Sequence, residues 1–156
     1  LQVMELEVKD RGVWVELDCP DDLPRIMIDK GQMRQVFFNL IKNASQAMSE
    51  GGLLKVLVAM TEEFTSIAFR DGGVGISAED LGNIFEPYHT TKPEGHGLGL
   101  MIVQRIVRDH GGQIEIETVP QKGTTITIVL PRSEHRIRLL EAPSSSAAEV
   151  DEDAES

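Results

Sequence analysis

The sequence predicts an α+β fold: one mixed, mostly antiparallel sheet with helices on one face. Strand-like segments outnumber helical ones, and the two kinds occupy separate stretches of the chain. The two clearest helices each carry a single apolar stripe, which suits packing against one layer. A chain of 156 residues with 40% hydrophobic content can bury one such core and is short for two.

Taken in order, residues 1–10 fit a helix through Leu1, Met4 and Val8, or a strand through the alternation from Val3 to Val8. Residues 13–18 read as a strand ended by Pro20 and the acids Asp21 and Asp22, and residues 24–28 suggest a further short extended piece. Asp29 is placed to cap a long helix, and Gln32 three residues on completes a capping-box pattern. Met33, Val36, Phe37, Leu40, Ile41, Ala44 and Met48 recur along it at helical spacing, and Gly51 with Gly52 ends it. Residues 53–61 and 64–70 read as a hairpin around an acidic turn. Ser77 and Asp80 open a short helix that runs to about Phe85. Residues 86–97, with two prolines, a threonine pair and glycines, read as a long loop. A helix bearing Leu100, Val103, Ile106 and Val107 follows and closes at Gly111 and Gly112. Residues 113–118 and 123–130 are the last two strands, the second stopped by Pro131.

Net charge is −11 and unevenly spread. Residues 141–156 hold six acids and no base, which leaves −5 for the rest. With Pro143 and the serines Ser144, Ser145 and Ser146, that stretch cannot bury a core. The expected division is a folded domain over residues 1–131 and an acidic, disordered tail over 132–156. The acidity of the folded part argues against a nucleic-acid surface, so an anionic ligand must be held by backbone amides, a metal or a few placed cations. No apolar run approaches the roughly 20 residues that span a bilayer, and no basic-then-apolar signal opens the chain. No membrane contact by this domain is expected. Cys19 stands alone, so an internal disulfide is excluded and a cytoplasmic location is expected. A chain that begins at Leu1 reads as a segment of a longer protein.

Three patterns carry chemistry. Asn39 and Asn43 lie four residues apart on one side of the long helix, with Asn43 at the border of the apolar stripe. An amide there is an ordinary solvated group or an oxygen ligand for a hard cation such as Mg²⁺, which keeps most of its shell for phosphates and water. Asp71 follows a strand directly and is followed by Gly72, Gly73 and Gly75. That is a plain turn, or a carboxylate facing an exocyclic amine at the end of a pocket that glycines let the backbone approach. The run Gly95, His96, Gly97, Leu98, Gly99, Leu100 joins the loop to a helix start, whose unpaired amides suit phosphate. It is not the dinucleotide fingerprint, because no parallel strand–helix–strand unit surrounds it.

Taken together and in order, Asn39 to Ala44, Asp71 with Gly73 and Gly75, Phe85-Glu86-Pro87, Gly97 to Leu100, and Gly123-Thr124 resemble the ordered motifs of the histidine kinase catalytic domain. That domain shares its superfamily with gyrase, the Hsp90 chaperone and MutL. Thr90, Thr91 and Lys92 look like the lid of the nitrogen-regulation subgroup. The resemblance covers residues 1–131 and implies a Bergerat-type α/β sandwich that binds ATP and Mg²⁺. It implies that Asp71 binds the adenine amino group, within a pocket shaped by Gly73, Gly75 and Ile76. Asn43 would hold Mg²⁺ against the phosphates, with Asn39 beside it. Amides from Gly97 through Leu98, Gly99 and Leu100 would cradle the phosphates. Thr124 would support Asp71 through a water, Phe85 would pack the base of the lid, and Lys92 would reach the γ-phosphate. Asn43 and Lys92 would thus be the catalytic pair.

By the same resemblance the reaction is phosphoryl transfer to a histidine on a dimerisation hairpin, and from there to a response regulator. His89, His96, His110 and His135 all lack the His-Glu and Asn-Pro context of the phosphoacceptor. This chain is therefore expected to bind ATP without phosphorylating itself, and to be monomeric. The family's usual threonine is replaced by His96. Hydrolytic members and anti-sigma serine kinases usually carry glutamate where Asn39 stands, which favours a histidine kinase over either. A nucleotide-binding module without transfer is the other alternative.

Overall fold

The computed structural model describes residues 12–23, 25–86 and 98–132. Five strands form one sheet: β1 (Val13–Asp18), β2 (Gly52–Met60), β3 (Phe64–Asp71), β4 (Gln113–Val119) and β5 (Gly123–Pro131), in the order β1-β2-β3-β5-β4. Helix α1 (Lys30–Ala47) carries the chain from β1 to β2, which makes that pair parallel; every other pair is antiparallel. A short α2 (Ala78–Leu81) and the longer α3 (Gly99–Asp109) follow. Helices α1 and α3 pack on each other and on one face of the sheet, as the α+β reading expects.

The core lies between these two layers. Met33, Val36, Leu40 and Ala44 of α1, Met48 just past its end, and Val103, Ile106 and Val107 of α3 are buried against Leu54, Phe69, Ile126 and Ile128. Phe37 tilts onto Phe69 with ring centroids 5.5 Å apart. The period-3.6 stripe of α1 buries Met33, Val36, Leu40 and Ala44 and half-buries Phe37 and Ile41, and along β5 Ile126, Ile128 and Leu130 alternate into the same core.

Where element boundaries differ from the sequence reading, tertiary contacts explain the shift. Residues 25–28 join no strand of the sheet, and Ile26 and Ile28 turn in to pack on the core. Helix α1 ends at Ala47, short of the glycines, and the carbonyl of Ala47 is bonded by the amide of Val74 at 3.1 Å. Gly51 (φ +83°) then makes the left-handed turn, and Gly52 already belongs to β2. Helix α2 stops at Leu81, not near Phe85; it buries no residue, and a helix without an apolar anchor does not propagate. Residues 1–10, the loop from residue 87 to 97 and the acidic tail lie outside the described residues.

Asp29 caps α1 through its carboxylate, which accepts the Gln32 amide at 2.9 Å. Its own amide donates to Nε2 of His110 at 3.0 Å, rather than to Gln32 as a closed capping box requires. The other ring nitrogen of His110 lies 2.8 Å from the Ile106 carbonyl, so His110 ties the end of α3 to the start of α1. His110→Ala removes both bonds and leaves the Asp29 amide without its partner. The expected loss is about 1–2 kcal/mol of stability, read by urea denaturation.

Candidate nucleotide site

Asp71 is the last residue of β3 and is 8% exposed. Its Oδ1 accepts the Gly73 amide at 2.9 Å and the Thr124 amide at 3.3 Å, so loop and sheet hold the carboxylate from two sides. The loop beyond it passes close to neighbouring backbone at two of its glycines, Gly73 and Gly75. A Cβ on Gly73 would lie 2.5 Å from the Ala47 carbonyl oxygen. Gly75 takes φ +72° and faces the Val119 carbonyl, and Gly123 takes φ +112° against the Asp71 carbonyl. The Gln121 amide bonds Val74 O at 2.7 Å.

Helix α1 connects this pocket to a second feature. Ala47 touches the Gly73 loop, and Asn39, two turns earlier, touches Gly99 at the start of α3, where a Cβ would stand 3.6 Å from its Oδ1. Asn43 lies between them at i+4 from Asn39. At 1.5 Å rise per residue the line from Asn39 to Ala47 is about 12 Å long, a span suited to a purine at one end and its phosphates at the other. Asp71 and Asn43 therefore serve one side of α1, not opposite faces of the molecule.

At the Asn39 end, α3 begins with no side-chain cap and no acid in its first turn. Its free amides keep the partial positive charge of a helix start. Next to them, Nδ2 of Asn39 is buried without a hydrogen-bond partner, an arrangement that costs free energy unless a ligand supplies an acceptor. The donor set fits a phosphate group. For a cation, no cluster of three or more His, Cys, Asp or Glu side chains exists among the described residues. The half-buried amide of Asn43 fits Mg²⁺ only as one oxygen ligand among phosphates and waters, which is how Mg²⁺ is usually held.

The described structure thus gathers Asn39, Asn43, Asp71, Gly73, Gly75, Ile76, Gly99 and Thr124 along α1 and the ends of β3 and β5. Leu98 and Leu100 flank Gly99 and are half-buried at the start of α3. Phe85 is half-buried in the turn after α2. Lys92 and Gly97 lie outside the described residues. Lys42 is exposed, 5.8 Å from the centre of the Phe38 ring. The backbone amide of Thr124 also meets Asp71 directly. Sequence reading missed Thr118, whose hydroxyl accepts the Ile76 amide at 2.9 Å and lies 3.0 Å from that of Thr124. Only strand register brings Thr118 beside Thr124, so no local motif marks it.

The fold agrees with that of known proteins that the chain resembles. It belongs to the family of histidine kinase-, DNA gyrase B- and HSP90-like ATPases, which matches residues 28–134. It is 36% identical over 132 residues to sporulation kinase E of Bacillus subtilis (strain 168), covering 84% of this chain and 18% of that protein. It is 39% identical over 131 residues to sensor histidine kinase ZraS of Escherichia coli (strain K12), covering 84% of this chain and 28% of that one. The chain therefore spans under a third of the length of either relative. The catalytic domain of histidine kinase ThkA, in a nucleotide-free form, superposes with a TM-score of 0.74 at 27% identity, covering 84% of this chain and 88% of that one. Full-length ShkA in complex with AMPPNP gives 0.73 at 26% identity, covering 84% of this chain and 28% of ShkA. The chain is an ATP-binding catalytic domain of the sensor histidine kinase type, as the ordered motifs imply. No helix among the described residues is long and apolar enough to cross a membrane.

Proposed function

We propose that this domain binds Mg-ATP along α1 and presents its γ-phosphoryl group to a histidine on a dimerisation hairpin of the longer protein, which then serves a response regulator. The observation that carries this reading is the pairing of the two ends. A carboxylate is held in a glycine-walled pocket at one, and an uncapped helix start with the orphaned Asn39 amide stands at the other. Asp71 orients the base by accepting from its amine. The α3 amides and Asn39 donate to phosphate oxygens and fix the line of transfer. Bound Mg²⁺, held in part by Asn43, neutralises phosphate charge, the main requirement of phosphoryl transfer beyond alignment. Lys92 adds a cation from the loop, as in the nitrogen-regulation subgroup. The folded unit is residues 1–131, with 132–156 as an acidic tail.

The test has two parts. The domain should pass ³²P from ATP to an added hairpin domain that carries its phosphoacceptor, while free ATP turnover stays near background. Steady turnover without the hairpin would instead support a hydrolytic ATPase. Asn43→Ala should abolish the gain in ATP affinity that Mg²⁺ gives and leave metal-free binding within about twofold, a loss confined to one metal contact. A calorimetric titration with and without Mg²⁺ reads both, and an undiminished Mg²⁺ effect would remove Asn43 from the site.

A further inference from the structure

We propose that Thr118, a residue outside the ligand-contacting set, fixes the selectivity of this pocket for an amino-bearing base by dictating which way the Thr124 hydroxyl proton points. The proposal rests on the ATP-binding reading and deepens it.

A threonine hydroxyl has one proton to give and two lone pairs with which to accept. Thr118 Oγ1 accepts the Ile76 amide at 2.9 Å, which occupies one lone pair. The Gly123 carbonyl oxygen lies 3.2 Å away and, in the proposed arrangement, accepts the Thr118 proton. The third neighbour of Thr118 Oγ1 is Thr124 Oγ1 at 3.0 Å. In that arrangement Thr118 has no proton left for this contact, and Thr124 is the donor. The Thr124 proton is thereby turned toward β4, and the group has only lone pairs to offer on its other sides.

Strand register decides what that means. Thr118 stands opposite Thr124, and Thr124 opposite Asp71, so the three side chains form a row across β4, β5 and β3. Asp71 and Thr124 are both buried. The base end of the site therefore offers a carboxylate and an acceptor-locked hydroxyl side by side. A 6-amino purine, directly or through a bridging water, can supply protons to both. A 6-oxo purine brings an acceptor to a wall of acceptors, and unpaired buried acceptors are what a polar site rejects most strongly. Thr118 acts through Thr124 and is a positioning residue; removing its hydroxyl frees the Thr124 proton to meet a 6-oxo group.

Binding of ATP and of inosine triphosphate, which differ at that 6-position, tests this. In Thr118→Val the preference for ATP over inosine triphosphate should fall by roughly tenfold, the scale of one hydrogen bond gained or lost, with part of the change a real gain in inosine triphosphate affinity. Thr118→Ser restores the hydroxyl and should restore the wild-type ratio, which a packing role for the methyl group would not do. A folded Thr118→Val with the wild-type ratio overturns the proposal. Should Thr118→Val melt below the assay temperature, Thr124→Val gives an independent reading. It should weaken ATP and leave inosine triphosphate unchanged, and equal weakening of both overturns the proposal. Failure of the wild-type domain to bind ATP at all would sink the nucleotide reading itself, a distinct outcome from an unchanged ratio.

Discussion

Asp71→Asn is expected to leave the fold intact and to weaken ATP binding by roughly 100-fold or more, because the pocket then sets a donor against a donor. The substitution is close to isosteric. The side-chain oxygen of asparagine can still accept the amides of Gly73 and Thr124, which hold Asp71 at 2.9 Å and 3.3 Å. The second carboxylate oxygen, however, becomes an amide nitrogen with two protons. An exocyclic amine that approaches it finds no acceptor, and both groups are left unpaired in a site only 8% exposed. Calorimetric titration with a non-hydrolysable Mg-ATP analogue measures the loss, and the melting temperature shows that the frame survives. An affinity within a factor of about three of wild type would mean that the base lies elsewhere, since that is below the scale of one buried hydrogen bond.

Gly73→Ala should do what Asp71→Asn does not and damage the frame. A Cβ at Gly73 would stand 2.5 Å from the carbonyl oxygen of Ala47 and 2.7 Å from its carbon. Both are backbone atoms at the end of α1, tied to the same loop by the Val74 amide at 3.1 Å. Neither can yield without opening that bond and moving the loop off the helix. The expected cost is about 3 kcal/mol, at the upper end of overpacking penalties, with nucleotide binding lost at temperatures where the protein still folds. Gly72→Ala is the internal control: nothing lies within 4 Å of its added methyl group. Its stability should stay within about 0.5 kcal/mol of wild type. Urea denaturation of the two variants side by side checks the contrast, and equal stability would disprove the clamp between α1 and the loop.

Much of this molecule was legible before its structure. The stripe from Met33 to Met48 marked α1 and the face it buries, because a 3.6-residue period leaves no other arrangement for seven apolar side chains. The carboxylate cap at Asp29 was visible for the same local reason. The candidate site stands out in the sequence as ordered motifs, and its glycines at 73, 75 and 123 answer to backbone conformations and close approaches that other residues cannot take. The end of α2 is not legible, because it depends on what the core accepts and not on local pattern.

The sequence by itself therefore determined the α+β class, the helix faces and the residue types at the site, all of which are set by neighbours within a few positions along the chain. Only the tertiary structure decided that Asn39, Asn43 and Ala47 form one line between the helix start at Gly99 and the loop after Asp71. It alone brought His110 to Asp29 and Thr118 to Thr124. Those partners are joined by packing and strand register, whose side-chain contacts are fixed only once every layer is in place.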